Sequence, residues 1–422
     1  MNSRTFGIAL LTVVCAAQTG RTANWPGWRG PERNGHSSEQ GLPTKWSASS
    51  IVWKTTLKGA GQSSPVIWQD RIFLTSALEN GKQRIVYCVD RQTGKLQWEQ
   101  IAWSGVPEPS HRMNGWASAT CATDGKHVYA SFGRGGLHCY TVTGKHVWSQ
   151  DLGPLEGPWG TAACPLLVGD LLIQNCDADV NAYMIAVNKN TGQQVWKVPR
   201  PNHRGWSSPI LVDTGQRQEV VVNGHEGVMA YAPQTGKVLW TCRCPRGRGT
   251  PTVTAANGVI YVLNGLGGGG AYAVRPGGTG DVTEQQRLWI TERRTRDLPS
   301  PIIIGDTMLV MSLRGSILSG YDTRTGKELW KERIGGQISS SPIAYAGLAF
   351  FIDEAGDTTV VDPAGPRHIV RKNSLGGKTD EIFRASITPF QGQAFLRSDR
   401  TLYCIGRSDS SARLNSSGVQ SK

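Results

Sequence analysis

A Thr-Gly pair with Trp four residues after the Gly recurs along this chain, and that repetition limits its possible folds more than any other feature. Val89-Asp90-Arg91-Gln92-Thr93-Gly94-Lys95-Leu96-Gln97-Trp98 is followed by copies ending at Trp148, Trp196, Trp240 and Trp330. A weaker copy with an insertion after Pro276 ends at Trp289, and another near Val370 keeps the turn Asp362-Pro363-Ala364-Gly365 but has no Trp. From Trp53 onward the Trp spacings are 45, 50, 48, 44, 49 and 41. Each repeat opens with an apolar run, often after Ser-Pro as at Ser64-Pro65, Ser208-Pro209, Ser300-Pro301 and Ser341-Pro342. Turns such as Gly169-Asp170 and Asn257-Gly258 lead into further β-branched and aromatic runs, which are hairpin signals. Four short strands per repeat describe a propeller blade. The 52 glycines, about 12% of 422 residues against a usual ~7%, fit a chain of tight turns.

The ends of the chain set the blade count. Seven blades end at Trp98, Trp148, Trp196, Trp240, Trp289, Trp330 and about Val370. The stretch from Ala385 to Ile405 supplies three more strands and no fourth, whereas Ile51-Val52-Trp53-Lys54 is a fourth strand with no preceding three. Joining them removes two exposed edges. The expectation is an all-β, eight-bladed β-propeller of four-stranded antiparallel blades, closed by an N-terminal strand in the last blade. It would occupy residues 24–407 as one domain, with the repeat Trp side chains packed between blades.

The Thr-Gly-Lys-x-x-Trp ending resembles the PQQ-repeat family of eight-bladed propellers, which includes quinoprotein alcohol dehydrogenases and the outer-membrane assembly factor BamB. The opening Trp25-Pro26-Gly27-Trp28-Arg29-Gly30-Pro31 also resembles exported bacterial PQQ-like proteins. The repeat itself names a fold and not an activity. Relatives with dehydrogenase activity hold PQQ against a vicinal Cys-Cys disulfide beside a calcium ion, and no Cys-Cys dipeptide occurs here. Asp177-Ala178-Asp179-Val180-Asn181 superficially resembles a calcium loop but lacks its central Gly and terminal Glu, and reads as a solvated turn. No cofactor is therefore expected, with PQQ and calcium as the minority alternative. Full closure, missing catalytic signatures and a basic, aromatic rim lead to the expectation of a non-enzymatic binding or assembly scaffold; the alternatives are a PQQ-dependent oxidoreductase and a BamB-like assembly factor.

Residues 1–23 read as a secretory signal: Arg4, then a short apolar stretch from Phe6, then small residues, with cleavage after Ala17 or Ala23. Cys15 raises lipid anchoring as an alternative, although Val14 stands where such signals carry a small residue. An exported protein in the periplasm or outside the cell is expected. Residues 408–422 form a Ser-rich tail expected to be disordered. No apolar run approaches the ~20 residues of a membrane-spanning helix. Losing Arg4 and Arg21 with the signal takes the formal charge from +13 to +11, a surface able to attract anionic partners. It carries no basic-aromatic code for nucleic acid, and a monomer is expected.

Loops entering the inner strands would rim one mouth of the axis. They place Trp116, Trp159 and Trp206 at equivalent positions in three consecutive blades, with Arg112, Asn114, His203, Arg204, Arg246, Arg248, Arg296 and Arg384 nearby. Guanidinium forks bind carboxylate, sulfate or phosphate, and indole faces stack on sugars or aromatic rings. The alternative is that the Trp side chains plug the channel while the Arg side chains pair with Asp297, Asp380 and Glu381. No metal ligands cluster in the sequence: Cys242-Arg-Cys244 lacks a second pair, and His138, His146, His225 and His368 are scattered over surface and turn positions. Cys88, Cys139 and Cys404 share one repeat position and read as small core fillers. For Cys121 and Cys164, on neighbouring inner strands, a bridge is an alternative to free thiols.

Overall fold

The computed structural model describes residues 24–244, 247–265, 270–292, 297–377 and 380–406. The targeting segment, the tail, Arg246 and Arg296 lie outside the described residues. Eight antiparallel sheets follow one another along the chain. Their innermost strands are short: Val66–Trp68, Ala122–Thr123, Leu166–Val168, Ile210–Asp213, Thr254–Ala256, Ile302–Ile304, Ile343–Tyr345 and Thr388–Phe390. Blades one to eight are numbered in this order. The fourth strand of blade eight is Ile51–Thr56, paired antiparallel with Thr401–Ile405 so that Trp53 faces Cys404 and Lys54 faces Tyr403. The ring thus closes as the orphan strand requires.

Every outer strand carries a register shift at the Trp position, including blade seven, where Arg371 replaces Trp. Such a bulge increases local twist and turns the indole toward the next blade. The residue facing each Trp across its own sheet is small: Cys404, Cys88, Cys139, Ala186, Ala230, Ala273 and Gly320. In the following blade, the Thr-Gly turn meets the indole. A Cβ on Gly94 would lie 2.6 Å from the Trp53 ring, and Gly144, Gly192, Gly236 and Gly326 stand likewise against Trp98, Trp148, Trp196 and Trp289. The indole N–H groups of Trp53, Trp98, Trp148, Trp196 and Trp289 donate to carbonyls of those turns at 2.8–3.1 Å. Trp240 departs from this pattern because the insertion after Pro276 covers it. Its N–H donates to buried Glu219 at 2.7 Å, and Gly280–Asp281 adds a parallel strand beside it.

Apolar side chains gather between neighbouring blades. One such cluster joins Phe395 and Leu402 of blade eight to Leu74 and Tyr87 of blade one and Phe350 of blade seven. Cys121 and Cys164 are free thiols, as are the other described cysteines. His138 is buried rather than at a surface or turn position. Asp177 is also buried, where the sequence reads as a solvated turn. Its carboxylate pairs with Arg200 at 2.6 Å, while Asp179 pairs with Arg204 at 2.7 Å.

Candidate functional site

The axis holds a cavity of about 640 Å³. One residue of each blade contributes to its wall at the point where the chain enters the inner strand: Ser64, Thr120, Cys164, Ser208, Thr252, Ser300, Ser341 and Ser386. These side chains link the blades. Ser64 N–H donates to the Thr120 hydroxyl at 2.8 Å, Thr120 N–H to the Cys164 thiol at 3.2 Å and Cys164 N–H to the Ser208 hydroxyl at 2.9 Å. The pattern continues through Ser208 to Thr252, Thr252 to Ser300 and Ser300 to Ser341, and Ser386 N–H donates to Ser64. The Ser-Pro dipeptides thus place a hydroxyl where the neighbouring blade has an otherwise unpaired backbone donor. Burial raises the Cys164 thiol pKa, leaving it a neutral member of the ring.

Above this ring, the mouth loops bring together six of the expected residues. Arg112, Asn114, Trp159, Trp206, Arg248 and Arg384 all line the cavity, joined by His111. Trp159 is the hub. His111 lies 4.6 Å from its ring centroid, and the guanidinium carbons of Arg204 and Arg248 each lie 5.9 Å away. Asn114 donates to the Trp159 carbonyl at 2.9 Å, and the Trp206 indole donates to the Gly160 carbonyl at 2.9 Å.

Three expected residues stand outside the cavity. Trp116 packs against buried Arg84, 5.8 Å from its ring, and donates to the Glu108 carbonyl at 2.8 Å. Arg204 is engaged by Asp179. The His203 and His225 rings stack at 3.7 Å, while Nδ1 of each contacts a carbonyl, Arg204 and Gly247 respectively. Burial lowers the His203 pKa, and the charges of His225 and Arg204 act in the same direction. This stack ties the loop of Trp206 to the loop of Arg248.

The expected carboxylate pairings are redistributed. Arg384 binds Glu354 bidentately at 2.8 and 3.2 Å and donates to the Arg112 carbonyl at 2.9 Å. Burial opposes ionisation of Glu354, but Arg384 and the Ser339 hydroxyl hold its pKa below the usual range. Asp380 and Glu381 instead face Arg400, at 2.5 and 3.8 Å. Arg112 is exposed and Arg248 half-buried, and among the described residues neither side chain has a hydrogen-bond or ion-pair partner. Among the described residues, the lining contains three Arg and one His, but no Asp or Glu. No group of three His, Cys, Asp or Glu among the described residues could hold a metal ion.

Trp28, from the Trp25–Pro31 run ahead of the first blade, also lines the cavity. Its sequence signal was a Trp- and Arg-bearing segment with no place in any repeat.

These features define an eight-bladed β-propeller with a basic, hydroxyl-walled axial cup. Residues 81–312 match the family described as outer membrane protein assembly factor BamB, and the chain belongs to that family. It is 25% identical over 291 residues to BamB of Burkholderia pseudomallei, covering 66% of this chain and 68% of that protein. It is also 23% identical over 293 residues to tetrathionate hydrolase of Acidithiobacillus ferrooxidans, covering 63% of this chain and only 53% of that enzyme. Among solved structures, BamB from Moraxella catarrhalis superposes with a TM-score of 0.62 at 16% identity, covering 85% of this chain and 97% of that one. A europium-containing methanol dehydrogenase gives 0.68 at 11% identity, covering 92% and 99%. The structural likenesses show the fold alone. No helix among the described residues is long and apolar enough to cross a membrane.

Proposed function

We propose that this chain is an exported, non-enzymatic binding propeller whose axial cup takes a ring-bearing organic anion. The carrying observation is the charge balance of the lining: among the described residues three arginines, two of them without partners, face a cavity whose lining has no carboxylate. A bound carboxylate or sulfate would complete the guanidinium bonds, while Trp159 and Trp206 offer faces to a sugar or aromatic ring. Secretion rests on the signal-like residues 1–23.

This donor set does not fit a quinone held with calcium. The cation would have no carboxylate in the lining, and the chain has no vicinal Cys pair. Family membership favours a second reading, in which the propeller serves outer-membrane protein assembly and the cup is one of its contact points. Co-purification of a β-barrel insertase from native envelope would support that reading.

Calorimetry with p-nitrophenyl β-D-glucuronide, and with the uncharged glucoside as control, tests the anion site. The glucuronide is expected to bind and the glucoside not, with Arg112→Ala/Arg248→Ala weakening the glucuronide at least tenfold, since hydrogen bonds to charged groups contribute about 1.5–3 kcal/mol each. Equal binding of both glycosides, or of neither, would remove the proposal. A separate mixture with PQQ and calcium, monitored by dye reduction, is expected to show no turnover; clear turnover would restore the oxidoreductase.

A further inference from the structure

The Trp25–Pro31 run belongs to no blade, yet it lies at the centre of the ring and is pinned from several sides. Trp25 exchanges two backbone hydrogen bonds of 2.9 Å with Ile67 in blade one, and the Pro26 carbonyl accepts from Thr123 N–H of blade two at 2.8 Å. Arg29 donates to the Thr254 hydroxyl at 2.8 Å and the Pro301 carbonyl at 2.7 Å, reaching blades five and six. His36–Ser37 then adds a parallel strand to the inner edge of blade seven. These anchors lie beyond the hydroxyl ring as each chain runs inward from the mouth, so the segment closes the opposite side.

Its backbone is held in costly conformations. Arg29 and Arg33 have φ of 62° and 53°, a left-handed geometry that costs a side-chain-bearing residue roughly 1–2 kcal/mol. Such conformations persist where the surroundings over-determine them. Gly30 is required at φ 82°, where a Cβ would lie 2.8 Å from the Trp25 ring. Arg29 is buried, and its bonds go to neutral oxygens of Thr254, Asn34 and Pro301. Burial pushes it down to about 9, so it stays protonated at neutral pH. Its guanidinium carbon sits 5.8 Å from the Trp28 ring. The floor of the cup is therefore an indole backed by a fixed positive charge.

We infer that this segment is a stopper that makes the axial channel a cup, and that Trp28 is its specificity-determining residue, stacking on the ligand's ring while the acidic group stays at the arginine rim. The inference rests on the anion-binding reading above and adds which part of the ligand reaches the floor.

The test measures p-nitrophenyl β-D-glucuronide and plain D-glucuronate against wild type, Trp28→Phe and Trp28→Leu, well below each protein's melting transition. Phe keeps a ring and Leu keeps the floor filled without one. For the aryl glucuronide, Trp28→Phe is expected within about threefold of wild type and Trp28→Leu at least tenfold weaker. Glucuronate should lose less than threefold in either variant. If Trp28→Leu binds the aryl glucuronide as wild type does, or loses both probes alike, the role of Trp28 is overturned while the anion site stands. If wild type binds neither probe, the anion reading fails and this inference with it.

Discussion

His138 illustrates how a residue that reads as peripheral becomes a determinant of stability. It is buried, with Nε2 2.7 Å from the Gly135 carbonyl and Nδ1 2.8 Å from the Ser149 hydroxyl. A neutral ring satisfies both contacts by donating to the carbonyl and accepting from the hydroxyl. Burial pushes its pKa from 6.5 down to about 4, although the Gly135 contact works the other way. The unfolded chain therefore takes up this proton first. The neutral-His contribution is complete above pH 6.5 and declines as pH falls through the window between 6.5 and 4, by about 2–3 kcal/mol at pH 4.5. Urea titrations at pH 7 and 4.5 should show a larger loss in wild type than in His138→Gln; equal losses would contradict this account. No local signal distinguishes His138 from exposed His146 eight residues later. Burial at 138 comes from the Gly133–Gly136 turn folding back over it. The mouth is more legible, because Arg112, Trp159, Trp206, Arg248 and Arg384 all lie in the loops that lead into inner strands, within ten residues of each strand start. Their partners were not: Glu354 lies 30 residues from Arg384 in sequence, one blade earlier.

At the element scale, the turn of one blade and the outer strand of its neighbour form a single packing unit. Asp90 Oδ1 accepts from the Thr93 N–H at 2.8 Å and from its hydroxyl at 2.7 Å, setting the turn that presents Gly94 at φ 72° to the Trp53 ring. Gly94→Ala should therefore suffer both the left-handed backbone cost and a collision at 2.6 Å. Gly347→Ala, at φ 77° with nothing within 4 Å, should suffer the backbone cost alone. Denaturant midpoints are expected to place Gly94→Ala about 1–3 kcal/mol below Gly347→Ala, the usual range for overpacking. Indistinguishable variants would mean that the indole moves aside freely. Strand order and the interblade role of Trp could be read from sequence because every copy repeats the same local grammar. The hydroxyl ring could not, because its partners lie a full blade apart: the Ser-Pro dipeptides mark strand starts, while the donors they accept from belong to the preceding blade.

For the whole molecule, closure is the property on which the cup depends. Eight sheets share no common core at the axis, where the cup and stopper sit instead, so the ring is held by interblade clusters and by the clasp of Ile51–Thr56 on Thr401–Ile405. Nothing covalent spans the clasp, and all described cysteines are free. Stripping that one strand would expose the edge of Thr401–Ile405 and uncover Phe395 beneath Trp53, whose ring centroids are 5.9 Å apart. Unfolding is thus expected to begin by opening the clasp. Lys54 and Tyr403 stand directly opposite each other across it, so Lys54→Cys/Tyr403→Cys places a disulfide where opening must occur. The oxidised variant should unfold in guanidinium at least tenfold more slowly than the same protein after reduction, a comparison in which the lost Tyr403–Glu381 hydrogen bond cancels. A crosslink over so long a loop also constrains the unfolded chain, by about 6 kcal/mol in the chain-entropy account. That effect would appear mainly as faster refolding and higher equilibrium stability, so the unfolding rate is the diagnostic measurement. Equal unfolding rates with the bridge formed and reduced would mean that the ring opens between two other blades, leaving the clasp no weaker than the junctions around it.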